Sequence, residues 1–275
     1  NESYLNFSLS WDGADLSSDE TPSGVTVVMS RKVNTLHYIW ALDGNGKHIL
    51  PETEENDYET PTIFNGDYYT VAFSDCSGFY EVIGADKFAE DASTSMLNLY
   101  IRIPEIADEN VSMDKDMTDF NPYAGFINSA EMPLCVDIIK DVVFPSASTV
   151  VLHPEKVTRT LTFRIAVNVE EGVTIDWISG VLSGVPDRVQ LMSGMVTETH
   201  TAKVKFDFEK CGTEQRKETV YDIYEGSLNV LGLFPPTDSR HVTGPGILQI
   251  SVAASVSERE QMRQRVFHTG LNLKS

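Results

Sequence analysis

Residues 160–169 read T-L-T-F-R-I-A-V-N-V, and their alternation decides the fold class. Leu161, Phe163, Ile165, Val167 and Val169 fall on one side of an extended chain, with Thr160, Thr162, Arg164 and Asn168 on the other. A period of two marks a strand with one face in a core and one in water.

Outward from this stretch the same period recurs. It appears at Leu5, Phe7, Leu9 and Trp11, at Val25 and Val27, at Tyr69, Val71 and Phe73, and at Leu97, Leu99, Ile101 and Ile103. Ala202, Val204, Phe206 and Phe208 alternate with Lys203, Lys205, Asp207 and Glu209, and a last run holds Leu248, Ile250, Val252, Ala254 and Val256. Turn-forming groups separate these runs: Asp12-Gly13, Asp43-Gly44-Asn45-Gly46, Asn65-Gly66-Asp67, Ser77-Gly78 and Gly244-Pro245-Gly246. Short strands at intervals of roughly ten residues predict an all-β chain of sandwich or barrel type. Helix is expected only as punctuation, at Ala85–Met96 or Ser257–Arg265, neither of which has an apolar stripe of helical period.

Residues 177–194, W-I-S-G-V-L-S-G-V-P-D-R-V-Q-L-M-S-G, invite a catalytic reading because Ser183 lies among glycines. A nucleophile elbow needs G-x-S-x-G on a strand-to-helix turn, whereas Gly180-Val181-Leu182-Ser183-Gly184 has the wrong spacing and continues into strand-like residues. A phosphate loop needs a glycine fingerprint opening a helix, and here Pro186-Asp187 intervenes and no lysine follows. The stretch reads instead as a strand ending near Trp177, a tight reversal over Gly180–Gly184, and a new strand from Arg188 to Leu191.

Composition narrows the partners. The 275 residues carry 21 Lys+Arg against 41 Asp+Glu, a net charge of −20, which excludes a nucleic-acid partner because phosphate binding needs a basic face. The charge is uneven: residues 1–145 hold 7 basic and 26 acidic side chains, residues 146–275 hold 14 and 15. Such asymmetry predicts two domains, 1–145 and 146–275, with the crossover at Pro145-Ser146-Ala147-Ser148. No run of 18 apolar residues is present. The chain begins Asn1-Glu2-Ser3, as a processed or truncated protein would.

Candidate chemistry is sparse. Cys76, Cys135 and Cys211 have no C-x-x-C spacing and are expected to be buried structural thiols. The six histidines form no i, i+2 or i, i+4 pair, and His37 and His268 read as hydrogen-bonded sheet residues. Asp114, Asp116 and Asp119 resemble half of a calcium loop, but its sixth position is Asp119 and its twelfth Gly125, so a solvated acidic loop is the expectation. Residues 52–59 form a second acidic loop, and residues 108–121 are the longest stretch without periodicity. No metal, cofactor or catalytic residue is assigned. Trp11, Trp40, Trp177 and Tyr221 have the chemistry to stack on sugars, yet each lies in or beside a strand pattern and reads as core.

The ordered series of strands carries a resemblance. The first half runs L-N-F-S-L-S-W, then P-S-G-V-T-V-V-M, then F-N-G-D-Y-Y-T-V-A-F-S-D; the second runs V-T-R-T-L-T-F-R-I-A-V-N-V, then I-S-G-V-L-S-G-V-P-D-R-V-Q-L-M-S-G, then K-V-K-F-D-F, and later S-L-N-V-L-G-L-F-P-P. It resembles the fimbrial anchor and fimbrillin-like lipoproteins of the Bacteroidetes, in particular the minor-fimbria anchor subunits, most sharply over Leu161–Gly194.

This resemblance implies two transthyretin-like β-sandwich domains in tandem on a surface-exposed protein of the cell outer membrane. It implies a lipid anchor on a cysteine preceding Asn1, and other fimbrial subunits as partners, joined by donor-strand exchange in which an extended segment of one subunit completes another's sheet. An anchor subunit would sit at the base of the fibre, and no arginine cleavage site for releasing an N-terminal strand is evident. A chain terminus can leave one sheet and enter another without breaking a loop. The candidate exchanging segment is therefore Val266–Leu273, with Val266, Phe267, His268, Leu271 and Leu273, ahead of the opening strand Leu5–Trp11.

The expected function is that of a non-catalytic fimbrial component. The alternative is a surface glycan-binding lipoprotein of a nutrient-uptake system, which would expose coplanar rings from Trp11, Trp40, Tyr123 or Tyr221. A glycoside hydrolase with two facing carboxyls ranks below both.

Overall fold

The structure is a computed structural model that describes residues 2–33, 36–49, 62–76, 78–84, 98–107, 124–146, 148–196, 200–232, 246–258 and 261–273. Among these residues there is no helix, and the chain is all-β. In chain order the strands are β1 (Glu2–Tyr4), β2 (Asn6–Leu9), β3 (Gly24–Arg31), β4 (His37–Asp43), β5 (His48–Ile49), β6 (Thr62–Phe64), β7 (Gly66–Ser74), β8 (Glu81–Ile83), β9 (Tyr100–Arg102), β10 (Glu105–Ile106) and β11 (Phe126–Ile127). They continue as β12 (Cys135–Phe144), β13 (Thr149–Leu152), β14 (Glu155–Lys156), β15 (Arg159–Val167), β16 (Val173–Pro186), β17 (Arg188–Gln190), β18 (Met195–Val196), β19 (Thr201–Arg216), β20 (Thr219–Val230), β21 (Ile247–Glu258) and β22 (Gln261–Asn272).

Two compact units share these strands, each built from separated segments. Unit 1 holds Asn1–Ile103, Met132–Thr158 and Arg188–Val196; unit 2 holds Pro104–Glu131, Arg159–Asp187 and Thr197–Ser275. The Pro145–Ser148 crossover expected between domains is instead a connection within unit 1, from β12 to β13.

Unit 1 is organised on a six-stranded sheet of order β14-β12-β7-β3-β4-β5, with smaller sheets β13-β2, β1-β6 and β18-β17-β9-β8. Its main core gathers Val25, Val27 and Met29 of β3, Tyr68 and Ala72 of β7, Val142 and Phe144 of β12, and Val150 and Leu152 of β13. β3 and β7 are buried on both faces: Val28, Ser30, Thr70, Val71 and Phe73 are covered as well. They are central strands rather than the half-wet strands expected from Val25/Val27 and Tyr69/Val71/Phe73.

Unit 2 is an eight-stranded sheet folded into two layers. β10-β11-β19-β16-β21-β22 forms one path, and β20 joins it through the second half of β19, carrying β15 on its far side. β19 pairs with β16 up to Phe208 and with β20 from Glu209, so one 16-residue strand serves both layers. Phe163 of β15 stacks on Phe206 of β19 with ring centroids 5.6 Å apart, which brings the alternating stretch of residues 160–169 over the opposite layer.

The structure corrects the reading of residues 177–194. β16 runs unbroken through Gly180 and Gly184, and no reversal occurs there. Gly184, at φ +71°, sits at a bulge where the pairing with β19 shifts between Ser183 and Val185. Gly180 faces Phe206, whose ring occupies the space a side chain would need. The strand expected from Arg188 does form, as β17, but it pairs with β9 and β18.

Three further expectations change. Ser257–Arg265 is no helix: β21 and β22 run up to the pair Glu258 and Gln261. Lys203 is not on a wet face; it is 2% exposed, with its ammonium 4.3 Å from the centre of the Phe126 ring. Cys135 is buried, Cys76 is half-buried, and Cys211 is exposed, in the stretch of β19 from Glu209 to Thr213 where every residue is exposed. Ala85–Met96, the acidic loops 52–59 and 108–121, and with them Asp114, Asp116 and Asp119, lie outside the described residues.

Candidate strand-addition site

Ser183, the residue with the most catalytic appearance in sequence, is a structural clip. Its hydroxyl accepts from the Ile247 N–H at 3.0 Å and donates to the Ile247 carbonyl at 3.3 Å, while its carbonyl accepts from Gly246 N–H at 2.6 Å. These bonds fix the start of β21. Among the described residues no three His, Cys, Asp or Glu side chains come together as metal ligands. His268 is a bonded sheet residue, its Nδ1 2.9 Å from the Ser251 hydroxyl.

Among the described residues, Trp11, Trp40 and Tyr221 do not form an open platform. Trp40 has Tyr38 stacked on one face at 5.1 Å and 9°, and Phe7 edge-on at 5.6 Å. Trp11 packs on the same core and donates its indole N–H to the Gly44 carbonyl at 2.9 Å. Tyr221 lies under the Arg216 guanidinium at 5.4 Å. Tyr123 is outside the described residues.

Open backbone is the more distinctive feature. Val266, Phe267, His268 and Leu271 lie on β22, and Leu273 follows it. Among the described strands β22 pairs only with β21, in twelve consecutive positions from Ile247–Asn272 to Glu258–Gln261 without a shift, and forms one edge of the sheet. Leu273 donates its N–H to the Gly246 carbonyl at 2.9 Å, continuing that register. By strand alternation the odd-numbered residues of β22 therefore turn their backbone groups toward β21, and Gln264, Val266 and His268 turn theirs away. Met262, Phe267 and Leu271 are 65%, 57% and 50% exposed, so apolar side chains flank this edge.

Unit 1 has a second opening that the sequence did not signal. β14 pairs with β12 only at Cys135 and Val136, so from Lys140 to Phe144 the side of β12 away from β7 has no neighbour among the described strands. Among the described strands β13 pairs only with β2, in parallel, and the Ser148 and Leu152 carbonyls accept from Asn6 and Ser10 on that side. Between β12 and β13 lies a groove of about 380 Å³ lined by Lys140, Asp141, Val143, Thr149 and Val151 among others. Val143 and Val151 are 49% and 46% exposed.

Two polar side chains cross this groove. The pairing of β12 with β7 shifts between Asp137 and Lys140, a bulge that re-aims both. The Asp137 carboxylate accepts from Lys140 Nζ at 2.5 Å and from the His153 N–H at 2.7 Å, and Lys140 Nζ also donates to the Val151 carbonyl at 2.8 Å. The Asp137 side chain is 7% exposed, so its charge depends on these partners. Nothing in the spacing D-I-I-K distinguishes it from an ordinary surface pair, because the signal is the bulge, which is a property of the pairing.

Compared with known folds, the chain is similar to a candidate adhesin from Bacteroides ovatus, with a TM-score of 0.60 and 12% identity over 98% of this chain and 83% of that one. A second candidate adhesin from Bacteroides ovatus gives a TM-score of 0.51 at 12% identity, covering 99% of this chain and 77% of that one. The fimbrial anchor protein Mfa2 from Porphyromonas gingivalis gives 0.44 at 13% identity, covering 97% and 80%. No family model matches the chain, and no curated protein matches it. The two adhesin likenesses show a shared all-β fold, and they come from the bacterial group to which the sequence resemblance points.

Proposed function

We propose that this protein is a non-catalytic subunit or anchor of a fimbria-like surface assembly at the cell outer membrane, joining other subunits by β-strand addition. The observation that carries this reading is the open backbone: among the described strands β22 ends a sheet path, and from Lys140 to Phe144 β12 faces β13 across a groove with neither strand paired on that side. An extended segment gains a full set of main-chain hydrogen bonds at such an edge, and its alternate side chains set specificity. The sequence resemblance over Leu161–Gly194 and the fold shared with the adhesins support the same reading. The lipid anchor belongs to this proposal.

Glycan binding has less support, because the rings of Trp40 and Trp11 are committed to packing. The test is a pull-down with the tagged protein from surface fractions of the native organism. Fimbrial subunits should co-purify, and their recovery should fail when residues 266–275 are deleted. Recovery of sugar-uptake proteins without fimbrial subunits would overturn the proposal.

A further inference from the structure

We propose that Asp137 and Lys140 form a latch across the open edges of β12 and β13, released when an extended basic segment of a partner takes over Asp137. This rests on the strand-addition reading above and concerns how that groove is regulated.

The latch occupies the positions a new strand would use. On β13 the groups turned away from β2 include the Val151 carbonyl and, just beyond the strand, the His153 N–H; Lys140 holds the first and Asp137 the second. A strand cannot pair with β13 there until both side chains let go. A lysine laid across an edge is also a known device against unwanted strand pairing.

The chemistry of the occupant follows from the burial of Asp137. The carboxylate, 7% exposed, takes one of its two donors from Lys140, so a segment that displaces Lys140 has to bring a replacement donor, and a cation suits it best. Arginine suits the exchange, since its planar fork matches a carboxylate. Asp141 on the same groove wall adds negative charge, part of it met by Lys32 at 2.8 Å. The C-terminal strand of this chain has the complementary character, with Arg263, Arg265, Phe267 and Leu271 on one face. Its apolar members match Val143 and Val151, which a strand in the groove would cover.

The probe is a fluorescent peptide of residues 261–273, titrated against the full chain by anisotropy. Lys140→Met should bind it at least tenfold more tightly than the unaltered protein, and Lys140→Arg should behave as unaltered. A peptide with Arg263 and Arg265 replaced by Gln should lose the gain. The double variant Asp137→Asn, Lys140→Met opens the groove without its charge and should show no tightening. If Lys140→Met binds no more tightly than the unaltered chain, or the Gln peptide binds as well, the latch is wrong. A purely structural lysine would lower the unfolding midpoint without raising affinity. Fimbrial subunits recovered in the pull-down with no peptide effect would sink the latch alone, whereas their absence would sink the strand-addition reading itself.

Discussion

Gly180 of β16 lies directly opposite Phe206 of β19, and a Cβ built on Gly180 would stand 2.6 Å from Cζ of that ring. The ring is enclosed from the other layer as well: a Cβ on Gly226 of β20 would approach it to 3.0 Å, and Phe163 stacks beside it. An aromatic ring over a glycine in the neighbouring strand restores the contact the glycine lacks.

Gly180→Ala should therefore destabilise unit 2 by about 1–3 kcal/mol, the ordinary cost of overpacking a filled core. Gly226→Ala, with the looser approach, should cost less. Denaturant titration of both variants checks this, and a Gly180→Ala midpoint equal to that of the unaltered chain would show that the ring moves aside freely.

The alternation at residues 160–169 was legible because a strand's period is local, and β15 follows it from Thr160 to Ile165, with Leu161, Phe163 and Ile165 half-buried between exposed Thr160, Thr162 and Arg164. The glycines of β16 were misread for the opposite reason. A glycine that turns the chain and one that seats a ring look alike in sequence, and only the partner strand separates them. The groove in unit 1 was illegible too, since it depends on which strands β12 and β13 do not meet.

Proline substitution separates the two sides of β22. Val266 turns its N–H away from β21, so Val266→Pro removes no ladder bond and should change stability by about 1 kcal/mol or less, while blocking strand addition at that edge. Phe267→Pro removes an N–H directed at β21 and should cost about 3 kcal/mol. The checks are unfolding midpoints and recovery of fimbrial subunits in the pull-down. Loss of capture by Val266→Pro with an intact midpoint is the expected outcome; unchanged capture would remove β22 from the mechanism.

The thiols should differ in reactivity and set the alkaline limit of stability. Burial pushes Cys76 up to about 12 and Cys135 up to about 11, whereas Cys211 is exposed. At pH 8 a disulfide reagent should titrate one thiol rapidly in the folded protein and all three after denaturation. Because the folded protein holds these protons where the unfolded chain releases them, above a pKa of about 9, stability should be unaffected by the thiols at neutral pH and fall as pH rises from about 9. Burial of the Tyr68 hydroxyl, raised to about 12, acts in the same direction from about pH 10. A denaturant midpoint that stays level between pH 8.5 and 11 would contradict this.

Two ion pairs on β12 should respond very differently to removal. Lys32–Asp141 spans 2.8 Å, but the Asp141 side chain is 68% exposed, so Asp141→Ala should cost about 0–1 kcal/mol, less at high salt. Asp137 accepts from Lys140 and from the His153 backbone while only 7% exposed. Asp137→Ala leaves both donors without their acceptor and should cost about 2–3 kcal/mol, since breaking an enclosed pair strands the remaining partner. Asp137→Asn should recover part of this, because its amide oxygen can still accept from His153. A double-mutant cycle with Lys140→Met isolates the pair, and a coupling energy near zero would show that Asp137 is held chiefly by the backbone of β13 rather than by the lysine.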